Sequence, residues 1–371
     1  MLDALKRARD RFFGDGDAAV SVPIFDGALK PNSLLEDAHV FAEAPGLEDL
    51  AIGADGVLYA ACGNEVLCFD ASGVQSVRAR FEAPVQALAL RTDGGVVVAS
   101  GGRIVFDGGA AHGKRIDAVD GRPLHSVNAL HAAPDGTLLI SEGSQKRPYA
   151  QWSHDLLEHG RSGRVLAHDL ASGTTRVLIS GLAYCFGVCS DGARVLASES
   201  WQHRIDVIAG ANRTAPLSAL PGYPARINAA PGGGFWLSMF AGRTQLLEFV
   251  LREDDFRTEM MRTIEPRYWV APALSSGSDF REPLQGGGVK QMGILKPWAP
   301  PRSYGLVIRL DADLVPRYSL HSRVGGVHHG IVAAVEHNGQ LFALSKGSGR
   351  ILRIALTDLN ADVITRKGAA V

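Results

Sequence analysis

The feature that most constrains the fold is a pattern that occurs six times: an apolar stretch, a two-residue turn signal and a second apolar stretch. In the first copy, residues 50–52 (LAI) precede the turn Asp55-Gly56 and residues 57–59 (VLY) follow it. Asp-Gly and Asn-Gly favour the positive φ angles of tight hairpin turns, so each copy predicts two adjacent antiparallel strands. The six turns are Asp55-Gly56, Asp93-Gly94, Asp135-Gly136, Asp191-Gly192, Gly232-Gly233 and Asn338-Gly339.

The spacing of these turns predicts a β-propeller. Four successive intervals are about 38, 42, 56 and 41 residues and the fifth is about 106, which fits four-stranded blades of roughly 40 residues with one long insertion. We therefore predict an all-β fold, a six-bladed β-propeller that forms a single domain over residues 37–358. The alternative is a set of unrelated hairpins in a β-sandwich. Residues 39–43 are predicted to supply the outer strand of the last blade, so that both ends of the chain lock the ring.

Three segments lie outside the repeat. Residues 1–36 predict a short N-terminal helix and an extended segment, and residues 359–371 form a tail. Blade five is interrupted by residues 252–302, which contain several aromatic residues, among them Trp298. Long loops inside a compact domain are usually functional or mobile. We predict a lid over one mouth of the central channel, with Trp298 against the substrate; the alternatives are an oligomer contact and a plain surface insertion.

Composition excludes several classes of partner. A net charge of −1 leaves no basic surplus for nucleic acid and no polybasic patch for a membrane surface. Charged residues throughout the first 13 positions argue against a signal peptide, and we find no segment apolar enough to span a membrane. The four cysteines lie within predicted strands, which indicates reduced thiols in a cytoplasmic protein; a local Cys62–Cys68 disulfide is the alternative. No phosphate loop, zinc spacing or nucleophile elbow occurs, so we expect no organic cofactor.

The repeat also predicts which residues line the channel. Seven positions before each turn, the first strand of a blade should place one residue at a common height on the axis. A carboxylate and side-chain carbonyl oxygens at that height, from Glu48 and Asn128, are ligands that Ca²⁺ prefers. The alternative is a carboxylate that binds channel water or backbone amides. The six positions are Glu48, Gln86, Asn128, Tyr184 (or Phe186, if the strand is shorter), Ala225 and Ile331.

Other polar residues are expected at the same mouth. His125 and His329 are candidate proton acceptors, because the histidine pKa lies near neutral pH. Arg226 and Asn228 are candidate substrate contacts, with Arg226 holding an anionic group. The alternative for each histidine is a hydrogen bond that caps the end of a strand.

Several motifs resemble the strictosidine synthase-like family, and more distantly gluconolactonases, regucalcin and paraoxonases. The resemblance implies a six-bladed propeller, in agreement with the turn count. It also implies that Glu48, in residues 46–50 (GLEDL), matches a calcium-ligand glutamate of the lactonase branch, and that Asn128 matches its third-blade asparagine ligand. The motifs are residues 198–200 (SES), 204–205 (RI), 220–224 (LPGYP), 234–237 (GFWL), 304–307 (YGLV) and 335–341 (VEHNGQL).

The chain departs from the family pattern at three places. The fourth-blade asparagine ligand is replaced by Phe186 or a neighbour, and the fifth-blade aspartate by Ala225. The sixth-blade glutamate, which is the base of the plant synthases, corresponds to Val332 here. Synthesis of strictosidine itself is therefore not expected.

From these observations we predict a small-molecule enzyme. The leading hypothesis is a hydrolase of a lactone, ester or related carbonyl compound, in which Glu48 and Asn128 orient a cation or water and Gln86, Tyr184 and Phe186 contact the substrate. A second hypothesis is a metal-free enzyme that forms or breaks a C–N or C–C bond with Glu48 as its base. A third is a non-catalytic propeller that binds a ligand or acts as a scaffold.

Overall fold

The computed structural model describes residues 22–283, 290–291, 294–295 and 302–359. Within these residues, six four-stranded antiparallel sheets follow one another along the chain. The predicted six-bladed β-propeller is therefore confirmed. The segment predicted as an N-terminal helix, most of the tail, Trp298 and part of the blade-five insertion lie outside the described residues.

The first strands of the six blades line a central channel, and each contacts the first strand of the next blade around the closed ring. We call the end of the channel where these strands begin the upper mouth, and the end at the Asp-Gly-like turns the lower mouth. Strand β1 (His39–Glu43) is followed by blade 1, with β2 (Leu47–Ile52), β3 (Leu58–Cys62), β4 (Glu65–Phe69) and β5 (Gln75–Arg80), and by blade 2, with β6 (Val85–Leu90), β7 (Val96–Ser100), β8 (Arg103–Asp107) and β9 (Arg115–Ile116). After a hairpin of β10 (Ala118–Val119) and β11 (Arg122–Pro123) come blade 3, with β12 (Val127–Ala132), β13 (Thr137–Glu142), β14 (Gly163–Asp169) and β15 (Thr175–Leu182), and blade 4, with β16 (Cys185–Ser190), β17 (Val195–Glu199), β18 (Arg204–Ala209) and β19 (Asn212–Leu217). Blade 5 consists of β20 (Gly222–Ala229), β21 (Phe235–Gly242), β24 (Gly305–Leu310) and β25 (Pro316–Ser322), with a hairpin of β22 (Lys290–Gln291) and β23 (Ile294–Leu295) between β21 and β24, and blade 6 contains β26 (Ile331–His337), β27 (Gln340–Ser345) and β28 (Arg350–Ala355).

Each predicted turn joins the first and second strand of a blade, and local chemistry explains why. In blade 3, the Asp135 carboxylate accepts a hydrogen bond of 2.9 Å from the Thr137 backbone N–H, while Gly136 has a φ of 86°. The Asp55 carboxylate accepts in the same way from Val57 at 3.1 Å. Aspartate supplies the acceptor and glycine tolerates the left-handed backbone, so the dipeptide specifies the hairpin locally.

The ring is closed by the predicted exchange of one strand. Strand β1 pairs antiparallel with β28, with His39 opposite Arg353. Phe41 on β1 is buried and contacts Phe342 of the same blade at 5.1 Å and Phe69 of blade 1 at 6.1 Å between ring centroids. The N-terminal strand therefore joins the last blade to the first, as the sequence predicted.

Two insertions emerge on the upper side. The blade-3 insertion, between β13 and β14, contains a 3-10 turn at Tyr149–Gln151 and helix α1 (Trp152–Leu157). The blade-5 insertion lies between β21 and β24 and so starts at residue 243, earlier than the predicted 252. It is partly helical, with α2 (Gln245–Val250), α3 (Asp254–Thr263) and a 3-10 turn at Pro266–Tyr268. None of the described helices is long and apolar enough to cross a lipid bilayer.

Candidate active site at the upper mouth

All six first strands carry a register irregularity at the same height, near the upper mouth. In blade 1 it falls between Leu47 and Asp49, and so at Glu48. A β-bulge leaves an extra residue unpaired and turns its side chain or carbonyl away from the regular ladder. The corresponding steps in the other blades lie at Gln86, at Asn128, between Cys185 and Val188, between Pro224 and Ile227, and at Val332.

The positions of these bulges change two of the channel residues that were predicted by counting seven positions back from each turn. In blade 6 the position at this height is Val332, whereas Ile331 is paired with Ser345 and buried in a core on the other side of the strand. In blade 4 the bulge contains Phe186. Tyr184 precedes the strand in a left-handed conformation with a φ of 61°. The fixed offset holds in blades 1, 2, 3 and 5, favours the alternative Phe186 in blade 4 and misses by one residue in blade 6, because packing sets the bulges and the turn does not control them.

Arg226 crosses the channel axis from blade 5. Its Nη1 donates to the main-chain oxygen of Glu48 at 2.9 Å and to that of Val332 at 3.5 Å, and its Nη2 donates to that of Gln86 at 2.8 Å. Its guanidinium carbon lies 5.4 Å from the centre of the Phe186 ring. The side chain is only 4% exposed, so Arg226 is not free to hold an anionic substrate group, contrary to the sequence prediction.

A buried carboxylate completes the charge balance at the axis. Asp49 Oδ1 lies 3.0 Å from Arg226 Nε, and Asp49 also accepts backbone N–H groups of Leu50 at 2.8 Å and Leu88 at 2.9 Å. Burial raises the pKa of Asp49 to about 6, although the Arg226 charge and the two N–H groups act in the opposite direction. This pair fixes the guanidinium across the channel. The Glu48 side chain lies on the upper-mouth side of the guanidinium.

Glu48 is the centre of a polar group that we call the upper triad: Glu48, Tyr149 and Lys346. Lys346 Nζ donates to Glu48 Oε2 at 2.5 Å, and the Tyr149 hydroxyl donates to the same oxygen at 2.9 Å. Lys346 Nζ is also 3.4 Å from the Tyr149 hydroxyl and 4.8 Å from the centre of its ring. Tyr149 comes from the blade-3 insertion and Lys346 from the end of β27, so the triad joins blades 1, 3 and 6.

The triad is partly shielded from water. The side chains of Glu48 and Lys346 are each 20% exposed, and Tyr149 is buried. Burial lowers the pKa of Lys346, while the Glu48 charge opposes that change. Burial also raises the pKa of Tyr149 well above its usual value. The site therefore presents a carboxylate that can accept a proton beside two hydrogen-bond donors.

An aromatic wall stands next to the triad. Tyr184 stacks on Trp201 with ring centroids 4.5 Å apart, and Phe186 lies 5.7 Å from Phe240. Trp152, from α1, contacts Phe240 at 5.4 Å and is only partly buried. Tyr184 and Phe186 are themselves buried in this aromatic cluster, so among these rings only Trp152 is partly open to solvent.

The blade-5 insertion reaches this mouth. Leu274 packs against the apolar cluster that contains Tyr184, Phe186 and Val332. Its carbonyl oxygen lies so close to Gly347, the neighbour of Lys346, that a Cβ at position 347 would overlap it. The insertion therefore forms part of the wall beside Lys346.

The lower half of the channel is a separate space. It is a cavity of about 230 Å³ whose lining includes Asp49, Arg226, His131 and Asn228. The Asn228 amide donates to the Ala334 main-chain oxygen at 3.1 Å. Asn228 therefore lies on the lower side of Arg226 and not with Glu48, because it is two residues further along β20 toward the turn.

The two predicted histidines do not belong to the hydrogen-bonded group around Glu48 in the described part of the chain. His125 is exposed, and its backbone N–H donates to Glu142 at 2.8 Å. His329 is buried; its Nε2 faces the Arg323 carbonyl at 2.9 Å and its Nδ1 lies 2.7 Å from the Ser303 hydroxyl. A carbonyl can only accept, so Nε2 carries the proton and both ring nitrogens of His329 are occupied.

The predicted calcium ligands do not form a fitting site. The Asn128 side-chain oxygen accepts from the Ser126 hydroxyl at 2.8 Å and its amide donates to the Cys185 carbonyl at 3.0 Å, with the residue fully buried. The Glu48 carboxylate is bound by the Lys346 ammonium, and Arg226 holds a second positive charge beneath it. Nor do three or more His, Cys, Asp or Glu residues converge as a metal-binding group in the described ranges. Gln86 contributes its main-chain oxygen to Arg226.

The fold and these residues define a class, a six-bladed propeller with a charged and aromatic site at one mouth of its channel. A family model described as strictosidine synthase matches residues 128–207. A strictosidine synthase-like protein of Arabidopsis thaliana (number 6) is 29% identical over 140 residues, which are 37% of this chain and 38% of that protein. The adipocyte plasma membrane-associated protein of Salmo salar is 26% identical over 247 residues, 64% of this chain and 54% of that protein. The matches thus span about half or less of these relatives, and the resemblance to the strictosidine synthase-like family is confirmed.

Solved structures show the same fold at low identity. A gluconolactonase of Xanthomonas campestris superposes with a TM-score of 0.54 at 14% identity, over 89% of this chain and 93% of that one. Regucalcin of Agrobacterium tumefaciens, described as a calcium-binding protein, superposes with a TM-score of 0.51 at 14% identity, over 90% of each chain.

Sequence reasoning missed two members of the triad. Lys346 stands one residue after the second strand of blade 6, and Tyr149 lies in the blade-3 insertion. No periodic signal marks either of them. For Lys346 the sequence offered one hint: the end of the second strand of a blade reaches the same mouth as the start of the first strand, where Glu48 lies.

Proposed function

We propose that the protein hydrolyses a lactone, ester or related carbonyl compound at the upper mouth of the channel. The observation that carries the proposal is the upper triad, in which one carboxylate oxygen of Glu48 accepts from both Lys346 and Tyr149. The gluconolactonase fold supports the same class of reaction by analogy only, since one fold hosts many functions.

The triad can perform hydrolysis with its own groups. Glu48 accepts a proton from a water molecule while the water oxygen attacks the carbonyl carbon of the substrate. The Lys346 ammonium, which has three N–H donors, donates a hydrogen bond to the carbonyl oxygen as it becomes negative, while the Tyr149 hydroxyl stays on Glu48 and orients it. When the tetrahedral intermediate collapses, the C–O bond to the alcohol oxygen breaks, and that oxygen takes the proton held by Glu48. The products are an acid and an alcohol, joined in one molecule for a lactone.

The surroundings suit a small substrate. The aromatic wall would offer a substrate an apolar contact through Trp152, which is only partly buried, while Tyr184 and Phe186 are buried within the wall. The blade-5 insertion, through Leu274, would act as the lid over the bound molecule. Exclusion of water by such a lid strengthens the hydrogen bonds made to a developing charge.

Calcium is the cofactor that a regucalcin-like site would add, because that structure is described as a calcium-binding protein. Here a calcium ion at Glu48 would face repulsion from Lys346 and Arg226, and the Asn128 oxygen already accepts a hydrogen bond. The reaction we propose therefore uses side chains alone. Activity that survives a calcium chelator supports it, and activity that requires added calcium contradicts it.

A second candidate is a metal-free enzyme that forms or breaks a C–N or C–C bond. The match of residues 128–207 to the strictosidine synthase family model favours it. In this case Glu48 would remove a proton from an amine or a carbon acid. The two candidates separate on substrates, since the second turns over amine and aldehyde pairs and the first does not.

The test is a panel of lactones and esters assayed with the wild type and Glu48→Gln. We expect Glu48→Gln to lose about 10²- to 10⁴-fold in turnover, because the amide cannot accept the proton. Glu65→Gln is the matched control: Glu65 is in the same blade but pairs with Arg80 at the surface, and the variant should keep full turnover. A wild type without activity on the panel, or an active Glu48→Gln, would overturn the proposal.

A further inference from the structure

We propose that the Arg226 guanidinium is the resident cation of the channel axis, and that it fills a latent hard-cation site formed by the bulged first strands. Arg226 donates to main-chain oxygens of three blades, at Glu48, Gln86 and Val332, with distances of 2.9, 2.8 and 3.5 Å. Its Nε lies 3.0 Å from Asp49 Oδ1 in an ion pair that lacks the alignment of a hydrogen bond. This role goes beyond the hydrolysis proposed above and does not depend on it.

The axis needs a positive charge. The bulges at Glu48, Gln86 and Val332 turn three carbonyl oxygens toward the centre, where a buried carboxylate from Asp49 also points. All four groups are acceptors, and the carboxylate is only 3% exposed. Buried acceptors without a donor or cation are strongly destabilising. Main-chain carbonyls together with one carboxylate are also the oxygen ligands that Ca²⁺ prefers.

Arginine fits this position better than any other side chain. A guanidinium is planar and has five N–H donors in fixed directions, so it can donate to several carbonyls while its charge pairs with a carboxylate. Its flat face can also lie against Phe186, whose ring centre is 5.4 Å away. A lysine ammonium has only three N–H donors, so it cannot serve the three carbonyls and the carboxylate together.

The inference predicts that removal of Arg226 uncovers a calcium site. Arg226→Ser leaves the three carbonyls and Asp49 facing an open axis of guanidinium size. We expect this variant to melt at a lower temperature than the wild type and to regain much of that loss in millimolar calcium, or in millimolar guanidinium as a chemical rescue. A ligand that binds only the folded state raises the melting temperature in proportion to the logarithm of its concentration. The wild type should respond to neither addition.

Two controls isolate the axis. Arg164→Ser removes another buried arginine, which pairs with Glu142 at 2.6 Å away from the axis; it should lower the melting temperature with no response to calcium. The double variant Arg226→Ser/Asp49→Asn removes the carboxylate as well. It should be more stable than Arg226→Ser and should not respond to calcium, because the neutral amide is a poor replacement for a charged ligand.

Terbium luminescence and melting curves give the readout. Calcium or terbium binding at the axis of the wild type would overturn the inference, as would an Arg226→Ser variant that neither calcium nor guanidinium stabilises. Should Arg226→Ser fail to fold alone, its refolding upon addition of calcium or guanidinium supports the inference, and failure to refold with either contradicts it.

Discussion

The ammonium of Lys346 lies 2.5 Å from the carboxylate of Glu48, although the two residues are 298 positions apart. They come from the last and the first blade, which meet where the ring closes. Formation of the candidate site therefore requires closure of the propeller.

The first prediction concerns Lys346. Lys346→Met removes the ammonium from Glu48 and should lower turnover of the substrate by about 100-fold, as expected for loss of one donor to a developing oxyanion. Since burial lowers the pKa of Lys346, wild-type activity should fall at alkaline pH below the ordinary range for lysine. Lys346→Arg keeps the charge at all these pH values, so its residual activity should lack that alkaline decline. Profiles of kcat/KM against pH provide the measurement, and identical alkaline limbs in the two proteins would refute this role for Lys346.

The second prediction concerns Asp49 and the pH dependence of stability. Its pKa is raised from 3.8 to about 6, so between these values the folded protein binds a proton that the unfolded chain has released. The contribution of Asp49 to the free energy of unfolding therefore decreases as the pH rises through this window, by up to about 3 kcal/mol. Urea denaturation of the wild type and Asp49→Asn at several pH values gives the free energy of unfolding of each protein. The difference between the two free energies, plotted against pH, measures the contribution of Asp49.

A control of opposite sign is available in blade 1. Asp70 is exposed, and hydrogen bonds from Ser72 lower its pKa. The stability that Asp70 contributes should therefore be lost as the pH falls, and the difference between wild type and Asp70→Asn should change in the opposite direction. The same direction for both variants would show that Asp49 does not titrate as described.

The third prediction concerns the contact between the blade-5 insertion and blade 6. Gly347→Ala places a Cβ against the Leu274 carbonyl and 2.8 Å from the His329 carbonyl, so the insertion must shift. We expect a loss of about 1–3 kcal/mol in the free energy of unfolding, a higher KM and faster proteolysis within residues 252–302. Gly232→Ala is the control, because a Cβ there meets open space. Unchanged KM and proteolysis in Gly347→Ala would remove the support for a lid.

The fourth prediction concerns closure of the ring. Phe41→Ala should lower the free energy of unfolding by about 3–5 kcal/mol, because it removes a buried aromatic side chain between the last and first blades. Val40 is on the same strand but 37% exposed, and Val40→Ala should cost less than about 0.5 kcal/mol. Chemical denaturation measures both, and similar losses in the two variants would contradict the role of Phe41.

The sequence was sufficient for the architecture because the decisive signal is local. Asp135 and Gly136 specify a hairpin through one side-chain acceptor and one left-handed residue, and six such turns at blade spacing leave few other folds. The same repeat placed Glu48 at the upper end of the first blade. The outer strand at residues 39–43 was also predictable, since an incomplete last blade needs a partner.

The details of the site depended on the tertiary structure. In blade 4 the bulge selected Phe186 over Tyr184, and in blade 6 it put Val332 at the channel height in place of Ile331; a bulge is set by packing between neighbouring blades. His329 looked available as a base, yet its two ring nitrogens are used by Arg323 and Ser303. Such satisfaction of a buried polar group is invisible in a sequence.

By itself, then, the sequence determined the number of blades and the turns between their strands, because short-range backbone chemistry dictates both, and it predicted Glu48 at the upper end of the first blade from its offset to the first turn. Only the tertiary structure decided that Arg226 spans the axis and that Tyr149 and Lys346 converge on Glu48. These contacts join residues about 100 to 300 positions apart, and they exist because the closed ring brings different blades to one point.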